Sequence, residues 1–173
     1  MAKADLQLIT DDPRYSIRYT RVLDKGALVN WIKAPEVLRW FPMEGDKEIE
    51  LCLRNWIGFS RFQCSLTATF DHTPIGIATL YLMPYKKVAH LAMVNIVVSP
   101  NMQKKGVGTS LVRNIVHLAK TKFKLTSIHF EVMEGCDLIP ILEKQGFVQV
   151  FRQSSFYTVF GDDVARIVME VQL

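Results

Sequence analysis

Apolar residues recur along this chain with two periods, and each change of period marks a change of element. From Ser16 to Leu23 they alternate through Ile17, Tyr19 and Val22, which predicts a first strand. Asp24 stands where a helix cap belongs, ahead of Leu28, Trp31 and Ile32 at helical spacing, and Pro35 stops or redirects that helix. A second helix is predicted from Asp46, with Ile49, Leu53, Trp56 and Ile57 on one face. The period then falls to two. Phe62 to Phe70, Ile75 to Met83 and Val88 to Val98 read as consecutive antiparallel strands on short connections, the first two joined by a turn at Asp71-His72-Thr73-Pro74.

Helical spacing returns from Val107 to Phe123 through Leu111, Ile115 and Leu118. Ser127 to Met133 is a short apolar strand. Asp137 to Gln145 is a short helix that Gly146 ends as a C′ residue. Phe147 to Phe151, Phe156 to Phe160 and Val164 to Val171 read as strands, with Gly161-Asp162-Asp163 turning the last hairpin. The order describes a mixed α/β domain around a central sheet. No repeat or Pro/Gly/Ser-rich linker interrupts it, so residues 1–173 read as a single domain.

Composition narrows the classes. About half of the chain is apolar, enough for a sizeable core, yet no apolar run approaches the roughly 18 residues of a membrane helix. The N-terminus leads into no apolar signal region. Three scattered cysteines without a CxxC pair argue against a disulfide framework and for a reducing, cytoplasmic setting. The four histidines have no metal-ligand spacing, so no metal is expected. The net charge of +4 suits an anionic ligand, but no dense basic stripe interleaved with aromatics marks a nucleic-acid reader, and neither nucleic acid nor membrane is expected as a partner. Of the tryptophans, Trp31, Trp40 and Trp56 read as core, while Trp40-Phe41-Pro42-Met43 follows a helix breaker and is positioned to line an acceptor groove.

The chemistry concentrates where a strand, a short loop and a long amphipathic helix meet, at Val94-Asn95-Ile96-Val97-Val98-Ser99-Pro100-Asn101-Met102-Gln103-Lys104-Lys105-Gly106-Val107-Gly108-Thr109. The first turn of a helix leaves amide N–H groups without partners, and its dipole adds partial positive charge there. Glycines at 106 and 108 let a ligand approach the main chain, and two lysines precede them, a combination suited to phosphate. Neither a P-loop nor a Rossmann fingerprint is present.

Gln103-Lys104-Lys105-Gly106-Val107-Gly108 is similar to the Q/R-x-x-G-x-G/A pyrophosphate-binding motif of the GNAT acetyltransferases, and Glu143-Lys144-Gln145-Gly146-Phe147 resembles that family's second landmark. Asp24, Trp31, Pro35-Glu36-Val37 and Trp40 resemble the opening of its ribosomal-protein N-terminal acetyltransferase subgroup. The resemblance implies a splayed, mostly antiparallel mixed sheet of about seven strands flanked by about four helices. It implies acetyl-CoA as co-substrate, with the pantetheine arm along Ile96, Val97 and Val98 and the pyrophosphate over Gln103, Lys104, Lys105, Gly106, Val107, Gly108 and Thr109. The implied reaction is transfer of the acetyl group to a primary amine, on a small molecule or a protein, by direct attack, so Cys136 is not required as a nucleophile.

The chain departs from the family pattern in its acid and base. The position of a frequent tyrosine is Leu142, that of a frequent asparagine is Gly135 or Cys136, and a frequent strand glutamate is replaced by Val94 and Asn95. Asn95, Glu131 and Tyr157 are the candidate catalytic residues, with Glu134 and His90 beside them. These departures motivate an alternative, a non-catalytic acyl-CoA-binding or regulatory module. Dimerisation through the last strands stays open.

Overall fold

The computed structural model describes residues 9–173. Its centre is one seven-stranded sheet in the order β1-β2-β3-β4-β5-β7-β6. The strands are β1 (Tyr15–Tyr19), β2 (Ser65–Phe70), β3 (Thr73–Leu82), β4 (Leu91–Val98), β5 (Ser127–Met133), β6 (Val148–Val159) and β7 (Asp162–Gln172). Five helices accompany them: α1 (Lys25–Ile32), α2 (Pro35–Leu38), α3 (Asp46–Gly58), α4 (Val107–Thr121) and α5 (Ile139–Lys144). All strand pairs are antiparallel except β4 with β5.

Alternation along the strands builds a core on each face. Leu80, Val94, Ile128, Phe130 and Ile167 pack with Leu111 and Ile115 of α4 and Leu142 of α5. On the other face Ile77 and Val97 pack with Leu28, Trp31, Leu53 and Trp56 of α1 and α3. Gly76 lets α4 lie close against β3, because a Cβ there would stand 2.9 Å from Leu111 Cδ1 and 3.1 Å from the Val97 carbonyl oxygen. The leucine tip can move, but the backbone oxygen cannot. Gly76→Ala is therefore expected to lower unfolding free energy by about 1–3 kcal/mol, measured in urea.

Several expected boundaries move, each for a local reason. The first strand stops at Tyr19, because the Asp24 carboxylate accepts the Arg21 N–H at 2.9 Å and closes a 3-10 turn over Val22–Asp24. Asp24 consequently makes no side-chain cap on α1. Pro35 redirects the chain as the first residue of the four-residue α2. Phe62 ends a 3-10 turn, and β2 starts only after the left-handed Gln63. The Asp71 turn is tighter than expected: Asp71 and His72 alone form it, both at positive φ, and Thr73 and Pro74 already belong to β3. β4 begins at Leu91 rather than Val88, and α5 at Ile139 rather than Asp137. Gly146 ends α5 at φ 86, with Phe147 N–H donating to Leu142 O, as a C′ glycine should. The two strands expected between Phe147 and Phe160 are one, β6, with register shifts between Gln149 and Phe151 and between Gln153 and Tyr157. Its hairpin turns at Phe160-Gly161, both at positive φ, and Asp162 and Asp163 lie inside β7.

Candidate active site

β4 and β5 are paired only from Leu91↔Ser127 to Met93↔His129 and then separate. Alternation of hydrogen bonding decides which main-chain groups face the gap. Ser99 N–H donates to Ile75 O of β3, so odd-numbered residues of β4 are committed to β3. The His90 carbonyl accepts from Thr126, on the β5 side. Val94, Ile96 and Val98 therefore turn their N–H and C=O groups into the split, whereas Val97, expected to offer its main chain to a ligand, has it bonded to β3 and its side chain in the core.

The split opens at its wide end onto the start of α4. Lys104 and Gly106 are left-handed, at φ 58 and 86, which turns the loop tightly into the helix. The first intrahelical bond runs from Ser110 N–H to Gly106 O, so the amides of Val107, Gly108 and Thr109 point out of the helix mouth. A Cβ on Gly108 would meet only Ile141 Cδ1 at 3.5 Å and Val98 Cγ2 at 3.9 Å, ordinary contacts. Nothing in the protein itself requires glycine there. Gln103 donates from Nε2 to Val98 O at 3.4 Å and lines the same opening with Lys104, whereas Lys105 is exposed and its Nζ lies 3.9 Å from Met102 Sδ.

The resulting cleft has a volume of about 620 Å³. Trp40, Phe41, Pro42 and Met43 form one wall, as their place after the helix breaker suggested, while Trp31 and Trp56 are core. Three candidates from distant strands meet here: Asn95 on β4, Glu131 on β5 and Tyr157 on β6. Asn95 is the diagonal neighbour of Tyr81 across β3 and β4, and burial pushes the ionisation of the Tyr81 hydroxyl far up. Glu131 Oε2 accepts from Arg166 at 3.0 Å, and His129 Nε2 lies 3.8 Å from Oε1. Burial lowers the His129 pKa more than the Glu131 and Glu170 charges raise it, which favours neutral imidazole. Burial and then the Glu131 charge raise the Tyr157 pKa, against Arg166, so the phenol stays protonated at neutral pH.

Two candidates lie elsewhere. His90 is exposed in the turn ahead of β4, at the closed end of the split. Glu134 is clamped on the surface by Arg152 at 2.8 and 2.9 Å, which holds its carboxyl below the usual range. Leu142 is fully buried in the core and offers no proton. Cys136 lines the cleft, but burial pushes its thiol up and opposes a resting thiolate. Tyr81, Met93 and Cys52 were not legible as site residues. Tyr81 and Met93 follow only from strand alternation once β3 and β4 are paired, and Cys52 from the face α3 turns toward them.

A mixed sheet split beside a helix mouth of unpaired amides defines a class of α/β proteins that take an extended, anionic-headed ligand between two strands. The chain belongs to the acetyltransferase (GNAT) family, whose model matches residues 27–147. Solved structures share the fold at low identity. Salmonella typhimurium yncA with its cofactor acetyl-CoA superposes with a TM-score of 0.79 at 17% identity, over 92% of this chain and 94% of that one. A ribosomal-protein-alanine N-acetyltransferase from Brucella melitensis gives 0.75 at 19%, over 91% and 99%. A ribosomal-protein-S5-alanine acetyltransferase from Vibrio fischeri gives 0.74 at 14%, over 92% and 93%. No curated protein sequence matches the chain. Among the described residues no helix is long and apolar enough to cross a membrane.

Proposed function

We propose that this protein transfers the acetyl group of acetyl-CoA to a primary amine by direct attack. The observation that carries the reading is the continuity of the cleft. Unpaired amides at Val107, Gly108 and Thr109 lie at one end, and the free edge of β4 runs from them to Asn95 and Glu131. A diphosphate suits the helix mouth, where dipole and N–H groups act together. Gln103 and Lys104 flank it, and the bare Cα of Gly108 gives the phosphates room. An amide-bearing pantetheine arm suits the strand edge at Ile96 and Val98, which offers donors and acceptors at strand spacing.

In this reading the Ile96 N–H polarises the thioester carbonyl as negative charge develops on its oxygen. Glu131 is the base. Its Oε2 is held by Arg166, and Oε1, which accepts no hydrogen bond among the described residues, takes the proton of the incoming ammonium. Asn95, beside Tyr81, orients the acceptor, and the protonated Tyr157 hydroxyl donates to the departing sulfur. The cysteines are spectators. Burial raises the pKa of Cys52 and Cys136, and takes that of Cys64 to about 11.

The test is release of CoA thiol from acetyl-CoA in the presence of a panel of amines. Glu131→Gln is expected to lower kcat about a hundredfold or more while acetyl-CoA affinity is kept. An unchanged kcat would remove Glu131 from the mechanism. The buried Leu142, apolar where many relatives carry tyrosine, favours a second reading, a non-catalytic acyl-CoA-binding module. Tight acetyl-CoA binding with no thiol release across the panel would select it.

A further inference from the structure

A second cavity, open and about 580 Å³, lies beside the cleft, under the C-terminal end of α3. Its floor is aromatic: Phe59 and Tyr81 stack with ring centroids 4.5 Å apart, and Phe62 stands exposed at the side. Its rim carries two guanidinium groups, Arg54 and Arg61. Among the described residues neither makes an ion pair or a side-chain hydrogen bond, and Glu50, one turn before Arg54, is not bonded to it. Along the sequence, carboxylates are scarce after Glu50. Asp71 is the only carboxylate residue from Leu51 to Phe130, a stretch with ten Lys and Arg. Asp71 sits in the β2–β3 turn, at the opposite end of those strands from Tyr81 and Ser65.

The two cavities share a wall. Tyr81 lines the second, and its cross-strand partner Met93 and diagonal neighbour Asn95 line the first. Along α3, Cys52 lines the cleft and Asn55 and Phe59 line the second cavity, at steps of three and four that place them on one helix stripe. One molecule can therefore lie along that stripe, with one end at Asn95 and Glu131 and the other at the guanidinium pair.

Resting on the acetyltransferase reading, we infer that the acceptor is an amine that also carries a carboxylate or phosphate. Its amino group enters beside Glu131 and its anionic group is bound by Arg54 and Arg61. Guanidinium forks bind both kinds of anion through paired N–H donors. The cation-rich rim repels polyamines and other polycationic acceptors, so the selection works by repulsion as well as attraction.

The experiment uses the full chain and hexapeptides that begin with Ala and differ at residues three and four: Glu-Glu, phosphoserine pair, Gln-Gln or Lys-Lys. Thiol release is followed with acetyl-CoA, and binding of each peptide is titrated separately with CoA present. Either anionic peptide is expected to exceed the Gln-Gln peptide in kcat/KM and in affinity by about tenfold or more, with Lys-Lys weakest. The Glu and phosphoserine arms separate carboxylate from phosphate. Arg54→Ala/Arg61→Ala should erase that preference through KM while kcat for the Gln-Gln peptide and the melting temperature stay unchanged, since both side chains are exposed. Thiol release with equal kcat/KM for acidic and neutral peptides, or a preference that survives the double substitution, overturns the inference and leaves acetyl transfer standing. No thiol release with any peptide leaves the acetyltransferase reading to the wider amine panel, and the titrations then judge the anion site on their own, equal affinities overturning it.

Discussion

Gly108→Glu is expected to weaken acetyl-CoA binding by at least about a hundredfold, roughly 2.7 kcal/mol, while the melting temperature stays within a few degrees of the parent. The physical basis is an asymmetry between what the protein and the ligand ask of this residue. Gly108 is in the first turn of α4 with ordinary helical φ, and an added Cβ would make only van der Waals contact, 3.5 Å from Ile141 Cδ1. The fold therefore has room for a side chain. The diphosphate proposed for the helix mouth does not, and a carboxylate brings repulsion on top of bulk. Gly108→Ala separates the two effects. It should raise helix propensity by up to about 1 kcal/mol while reducing affinity by a smaller factor. Isothermal titration with acetyl-CoA and thermal melts of the same samples give both readouts. Parent-like affinity in Gly108→Glu would remove the helix mouth from the binding site.

Asp24→Ala is expected to cost about 3–5 kcal/mol of unfolding free energy, the largest loss of stability foreseen here. Asp24 is 4% exposed and its carboxylate accepts from four donors. Arg18 forks onto it at 2.8 Å through both terminal nitrogens, Thr67 donates at 2.9 Å and Arg21 N–H at 2.9 Å. The network continues inward, since Thr67 is also hydrogen-bonded to Thr20, Ser65 joins Thr20 to Thr79, and Thr79 accepts from Trp56 Nε1 at 2.9 Å. Removing the carboxylate strands a half-buried guanidinium and a buried hydroxyl together. Burial alone would raise the Asp24 pKa, but the bonds from Arg18, Arg21 and Thr67 more than offset it, so the folded value lies below the ordinary one. A carboxyl depressed in the fold contributes stability that is present above its unfolded pKa, near 3.9, and is lost as pH falls through the folded value. Urea titrations from pH 7 down to about pH 3 should show the parent losing stability on acidification and Asp24→Ala losing less over that range. Parallel curves would deny the carboxylate this role.

These two residues also show how differently parts of the molecule were legible. The Gly108 loop was readable because its signal is local: two glycines, two lysines and a helix start within a few positions, all governed by neighbours in sequence. Asp24 invited a cap reading for the same reason, and that reading failed because its carboxylate turns back to Arg18 and the Arg21 N–H and reaches Thr67, 43 residues away. Glu131 and Tyr157 carried no motif, and only the placement of β5 and β6 puts them on one cleft with Asn95.

The sequence by itself determined the alternation of periods that lays down helices and strands, the glycine-bearing start of α4 and the Gly146 stop of α5. Each follows from rules that act over one turn or one pleat. Only the tertiary structure decided that β4 and β5 part after Met93, that the odd residues of β4 spend their main chain on β3, and that Tyr81 divides the cleft from an arginine-rimmed cavity. Those outcomes depend on which strands meet and in what register, which is fixed by packing between segments tens of residues apart.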